Sequence, residues 1–129
     1  MTQGLLLFAH GARDRRWAEP FEAVANRINA AAPDVRVELA YLEFMTPVLI
    51  DAGGRLAADG CTVVDVVPLF LGAGGHVRKD LPELLKLLGA QHPGVQWRLR
   101  PAIGEVDTVI EAMAQAALRL CADEPSAAP

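Results

Sequence analysis

Cysteine is nearly missing from this chain. Cys61 and Cys121 are the only two among 129 residues, and they lie far apart, outside any Cys-x-x-Cys pattern. Such cysteines fit reduced, packed thiols in a cytosolic protein better than a disulfide framework. An excess of positive charge is also missing. The formal net charge is −4, which gives no general reason to expect nucleic acid or an anionic membrane as partner. Long hydrophobic runs are absent: none approaches the ~20 residues of a membrane-spanning helix. Met1-Thr2-Gln3-Gly4 leads straight into an apolar segment without a basic stretch or cleavage site, so no signal peptide is expected and the predicted location is the cytoplasm. Histidine is scarce, with three in the chain. Two of the three lie just past apolar runs.

Those runs organise what is present. Leu5 to Ala9 passes into His10-Gly11-Ala12-Arg13-Asp14, and Val63 to Leu71 passes into Gly72-Ala73-Gly74-Gly75-His76. A continuous apolar run bounded by turn residues reads as a strand buried on both faces of a parallel sheet. Strands are predicted near 4–9, 35–42, 62–71 and 94–100. Helices are predicted between and after them. The first runs from Arg15 to Ala31, capped by Asp14, and the second from Thr46-Pro47 to Asp59, ended by Gly60. The third runs from His76 or Val77 to Gly89, and the fourth from Glu105 or Val106 to Leu120. Alternation of this kind specifies an α/β fold with right-handed crossovers and helices on both faces of one parallel sheet. The second and fourth strands alternate polar and apolar residues and so read as edges. The predicted order is 2-1-3-4, in one domain over 1–122 with a frayed Pro/Ala-rich tail over 123–129. In that order the loops after strands one and three adjoin at the topological switch point, where open sheets bind ligands.

His10 and His76 fall at that rim, and Glu43 joins them from the end of strand two. Two imidazoles and a carboxylate suit a divalent transition metal with open coordination positions, or acid–base work. Each residue has a structural alternative. His10-Gly11 can be a turn, His76 a cap behind a phosphate-cradling glycine loop, and Glu43 a solvated loop residue. Their shared rim favours function. His92, beside Pro93 at the opposite rim, reads as structural. Arg13, Arg15 and Arg16 follow His10, and Arg78 and Lys79 follow His76. Cations in a first helical turn oppose the helix dipole. This basic group instead suits a polyanionic ligand, such as phosphate or several carboxylates.

Three stretches then carry a resemblance: Ala9-His10-Gly11-Ala12-Arg13-Asp14, Leu42-Glu43-Phe44-Met45-Thr46-Pro47, and Pro68 to Pro82 with its Gly74-Gly75-His76 core. Together the chain resembles the short, CbiX-type class II chelatases, the sirohydrochlorin cobaltochelatases and ferrochelatases of cobalamin and sirohaem biosynthesis. The resemblance spans nearly the whole chain. It implies insertion of a divalent metal (Co²⁺ or Fe²⁺, also Ni²⁺) into a sirohydrochlorin-type tetrapyrrole without nucleotide, and no cofactor beyond that substrate metal. It implies that His10 and His76 hold the metal and that Glu43 assists metal handling or takes pyrrole protons. The five basic residues would then meet substrate carboxylates. One departure is visible: many members read His-Gly-Ser where this chain has His10-Gly11-Ala12, which alters a hydroxyl near the ligands and not the ligand set. Long members carry two such domains, so a one-domain chain implies a homodimer, with Leu81 to Leu88 a candidate apolar face.

Two rivals differ in class. A histidine phosphatase also carries His-Gly after its first strand, but with a phosphate-binding arginine before the histidine, where this chain has Ala9. A non-catalytic metal carrier or tetrapyrrole-binding module would use the same histidines, and only turnover separates it from a chelatase.

Overall fold

A computed structural model describes residues 2–72 and 74–123; the side chain of His76 also lies outside that description. Four parallel strands form one sheet: β1 (Thr2–Ala9), β2 (Arg36–Tyr41), β3 (Cys61–Pro68) and β4 (Gln96–Leu99), in the order β2-β1-β3-β4. The helices are α1 (Glu19–Ala31), α2 (Leu49–Ala58), α3 (Gly75–Gln91) and α4 (Asp107–Ala122). The strand order and the central position of β1 and β3 are those the polarity pattern predicts.

The reason lies in the two-residue period of a strand. Leu6 and Phe8 of β1 and Val64 and Val66 of β3 point to one face, where α2 and α3 supply Leu49, Ala52, Leu56, Leu81 and Leu88. Leu6, Phe8, Leu56 and Leu88 are fully buried, each contributing about 2 kcal/mol of transfer free energy. The opposite face carries Leu5, Leu7 and Val67. There α1 covers the β1–β2 side, with Trp17 stacked on Phe21 at 4.6 Å between ring centroids and both packed near Ala9, Ala18 and Tyr41.

Boundaries differ from the sequence reading where local chemistry is overruled. The first helix is split. A 3-10 turn over Arg15–Ala18, capped by Asp14 through the Arg16 N–H at 2.9 Å, precedes α1 because Pro20 has no N–H to continue the ladder. The second helix does not start at Thr46-Pro47. The Tyr41 N–H donates to the Pro47 carbonyl at 2.9 Å, which ties that segment to the end of β2 through a cis Thr46–Pro47 peptide, and α2 begins at Leu49. Helix α3 runs through Gly89 to Gln91. A mid-helix glycine costs about 1 kcal/mol, less than the burial of Leu88 contributes. The helix ends at His92, whose backbone leaves the helical region (φ −132°, ψ 70°), as a residue before proline tends to do. Strand β3 stops at Pro68, and Phe70 turns into the core.

Helix α4, like α1, has no buried residue among those described, and it packs on the 3-10 turn Ile103–Glu105 just before it. Residues 124–129, most of the expected tail, lie outside the described residues. Among the described residues no helix is long and apolar enough to cross a membrane.

Candidate active site

The three loops at the carboxyl ends of β1, β2 and β3 are stitched together by the backbone. The Leu42 N–H donates to the Ala9 carbonyl at 2.9 Å, the Glu43 N–H to the His10 carbonyl at 3.1 Å, and the Leu69 N–H to the Phe8 carbonyl at 2.8 Å. The parallel ladder thus continues one step past the sheet, and it sets His10 and Glu43 side by side on neighbouring loops. Gly11 makes this approach possible. Its φ is +89°, and a Cβ there would overlap the Glu43 carbonyl oxygen, so the turn after His10 accepts only glycine without displacement.

His10 and Glu43 are both solvent-exposed. The His10 ring rests against the Phe70 ring, 5.3 Å between centroids. Phe70 is buried and meets Phe8 edge-on at 5.9 Å. The imidazole therefore has a rigid apolar wall on one side and water on the other, which suits a group that must take up and release a ligand. His76 stands in the first turn of α3, on the loop that leaves Phe70, and so at the same rim. Its side chain, with any contact to His10, lies outside the described residues. Among the described residues no three of His, Cys, Asp and Glu gather into a metal-binding group.

The basic residues are spread along this rim and form no single cluster. The Arg13 guanidinium lies 4.7 Å over the Phe44 ring. Arg15 lines a separate hollow of about 310 Å³ with Glu22, Asn26, Tyr41 and Met45. Arg16 pairs with Asp14 at 3.2 Å, both exposed, and that pair holds the Asp14 carboxyl below the usual range, mainly through the Arg16 backbone N–H. Arg78 reaches Glu105 at 3.0 Å and, with Arg100, lines a small pocket of about 220 Å³. Lys79 is exposed on α3.

Sequence reading did not single out the apolar rim. Phe44 is 57% and Leu71 70% exposed, and they sit after β2 and β3. Phe44 also adopts φ +66°, a conformation that a bulky residue takes only when its surroundings impose it. No sequence contrast marks them, since Leu42 and Met45 flank the one and Leu69 and Phe70 precede the other. A flat apolar ligand at this rim would meet Phe44, on the loop bonded to that of His10.

A second polar group is structural. Asp65 is buried in otherwise apolar β3. It accepts two bonds from Arg98 at 2.8 Å each and one from Gln3 at 3.1 Å, with Arg100 at 3.9 Å. The Arg98 bonds hold its carboxyl below the usual range against the effect of burial. This network ties β3 to β4 on the sheet face that also carries Leu5 and Leu7. His92 stacks near Trp97 at 6.0 Å on the opposite rim, in keeping with a structural part.

The chain is similar to known proteins along most of its length. The CbiX family model matches residues 4–120. A sirohydrochlorin cobaltochelatase of Sulfurisphaera tokodaii is 31% identical over 108 residues, covering 79% of this chain and 88% of that protein. The crystal structure of a cobalamin (vitamin B12) biosynthesis CbiX protein from Marinobacter aquaeolei superposes with TM-score 0.80 at 34% identity, covering 92% of this chain and 97% of the other. The sirohydrochlorin chelatase SirB of Bacillus subtilis subspecies spizizenii, solved with cobalt, shares the fold with TM-score 0.79 at 23% identity; 93% of this chain matches 51% of that longer one. With its β2-β1-β3-β4 sheet, its His10 and Glu43 loops bonded at the switch point, and a family match across nearly its whole length, this chain belongs to the CbiX family of class II chelatases.

Proposed function

We propose that the protein inserts a divalent metal, Co²⁺ or Fe²⁺ and also Ni²⁺, into sirohydrochlorin without nucleotide, in the cytoplasm and as a homodimer. The observation that carries this reading is the pairing of the His10 and Glu43 loops at one rim, with His76 in the first turn of the adjacent helix, in a chain of the CbiX family.

His10 and His76 hold the metal substrate. Neutral imidazole binds these ions well, and two protein ligands leave positions open for macrocycle nitrogens, whereas a closed four-ligand cage would not release the ion. Insertion exchanges M²⁺ for two pyrrole protons, so two N–H bonds break as the metal–nitrogen bonds form. Glu43, exposed to water beside His10, accepts protons and passes them to solvent. Phe44 and Leu71 meet the macrocycle's apolar body. Arg13, Arg15, Arg16, Arg78 and Lys79 meet its peripheral carboxylates. A lone four-stranded sheet offers one wall to a flat ligand, and a second copy supplies the other.

The test is anaerobic incubation of the protein with sirohydrochlorin and Co²⁺, Fe²⁺ or Ni²⁺, following the macrocycle's absorption spectrum. Many turnovers per chain are expected. Binding of metal or macrocycle at one equivalent without turnover would make the protein a carrier and overturn the catalytic reading.

A further inference from the structure

Tyr41 is buried, yet the protein does not satisfy its hydroxyl. The residue is 5% exposed and is the one tyrosine in the chain. Among the described residues its phenol makes no hydrogen bond, whereas a buried tyrosine ordinarily finds a partner for its O–H. The side chain lines a hollow of about 310 Å³ between α1 and the carboxyl end of β2. Neither His10 nor Glu43 lines that hollow.

Two charges of opposite sign border it. Arg15 comes from the 3-10 turn before α1, and Glu22 from α1 itself. Both are exposed, and among the described residues neither side chain forms an ion pair. Nearby, Arg16 and Asp14 do pair, at 3.2 Å. Burial pushes the Tyr41 phenol up; the Glu22 charge adds to the rise and the Arg15 charge opposes it. The hydroxyl therefore lies within the field of both. Asn26 adds an amide, and Leu39 and Met45 supply an apolar wall.

Those charges select the ligand. The Arg15 guanidinium disfavours a divalent cation. A plain carboxylate, the peripheral arm of a macrocycle included, would meet repulsion from Glu22. A molecule with both signs satisfies every group: its carboxylate takes Arg15 and the Tyr41 O–H, and its ammonium takes Glu22 and the Asn26 side-chain carbonyl. The volume stands at the small end of ligand sites, which start near 300 Å³, and suits one amino acid better than a tetrapyrrole.

We propose that this hollow is a second ligand site, which binds a free zwitterionic amino acid with its apolar side chain against Leu39 and Met45. The site lies against the loop of the proton acceptor. The Tyr41 N–H donates to the Pro47 carbonyl at 2.9 Å, and Met45 and Pro47, which line the hollow, follow Glu43 on one loop. A bound amino acid therefore braces that loop. The inference goes beyond the chelatase reading and stands without it, except that it moves Arg15 from the macrocycle's carboxylates to this hollow.

The experiment uses the full chain carrying ring-labelled tyrosine. Because Tyr41 is the one tyrosine, its nuclear magnetic resonance signal reports on this hollow alone. Titration with L-leucine should shift that signal saturably at millimolar concentration or below. L-Leucinamide, which lacks the carboxylate, and isocaproate, which lacks the ammonium, should each bind at least about tenfold more weakly, as expected when one charge-assisted contact is lost. Glu22→Gln and Arg15→Gln should each weaken leucine by a similar factor, and Glu22→Gln should bring isocaproate level with leucine. Both positions are exposed, so melting curves should match wild type. No saturable shift with leucine would overturn the proposal, as would a leucine affinity unchanged in both variants. Isocaproate binding wild type as tightly as leucine would make the hollow a plain carboxylate site and overturn it. A shift produced by sirohydrochlorin and not by leucine would assign the hollow to a macrocycle arm and overturn it too. None of these results bears on metal-insertion turnover, on which the chelatase reading stands or falls.

Discussion

Replacing Gly11 by alanine should damage the site through geometry alone, since no ligand or charge is removed. At φ +89° an L-residue with a Cβ is strained by about 1–2 kcal/mol. The new Cβ would also overlap the Glu43 carbonyl oxygen, so the two loops must part. That loses the 3.1 Å bond from the Glu43 N–H to the His10 carbonyl, a further ~1 kcal/mol. The sum is roughly 2–3 kcal/mol, which for a domain of this size lowers the melting temperature by roughly 8–12 °C. The larger effect is on rate. Misplacing reacting groups by about 1 Å costs about a hundredfold, so Gly11→Ala should keep its helical spectrum and chelate about two orders of magnitude more slowly. Gly94→Ala is the control: nothing lies within 4 Å of its added Cβ, it is on the opposite rim, and it should match wild type in melting and rate. Gly11→Ala with a wild-type melting temperature and a chelation rate within threefold of wild type would refute the claim that this close approach sets the His10–Glu43 geometry.

Two further outcomes follow from the charges. Arg13→Ala with Lys79→Ala should raise KM several-fold at nearly constant kcat, with a KM less sensitive to salt than that of wild type, as expected when exposed contacts to carboxylates are lost; a fall in kcat at constant KM would place these residues in the chemical step. Asp65→Asn should lower the melting temperature at neutral pH, because the buried carboxylate holds Arg98 through two 2.8 Å bonds. The folded carboxyl lies below its ordinary 3.8, so its contribution is complete above that value and fades as pH falls through the lower folded value; the gap between wild type and variant should close below about pH 4, and melting curves recorded from pH 7 to pH 3 check this.

Much of this arrangement was legible in the sequence because it follows from short-range pattern. Apolar runs at 5–9 and 63–67, against alternating strands at 36–41 and 96–99, specify which strands are central and hence which loops meet. Asp14 as a cap and Gly60 as a stop follow from local hydrogen bonding and φ. What was not legible depends on contacts made in space. The delayed start of α2 comes from a backbone bond between Tyr41 and Pro47, five residues outside the helix pattern at its far end. The passage of α3 through Gly89 comes from burial of Leu88 under the sheet. Phe44 and Leu71 look like packing residues in a list of apolar positions, and only the loop geometry exposes them. The five cations read as one cluster by proximity to His10 and His76, yet ion pairs with Asp14 and Glu105 and the Phe44 ring distribute them along the rim.

In the proposed reaction His10 and His76 are the pair that presents metal to the macrocycle. The most direct measurement is the initial rate of Co²⁺ insertion into sirohydrochlorin, under anaerobic conditions and at saturating metal, for wild type, His10→Ala and His76→Ala side by side with their melting curves. Both variants should lose at least a hundredfold in rate while melting close to wild type, since His10 is exposed on a strand-end loop and His76 stands in the first turn of α3. Either variant inserting metal at the wild-type rate would contradict the paired-ligand account.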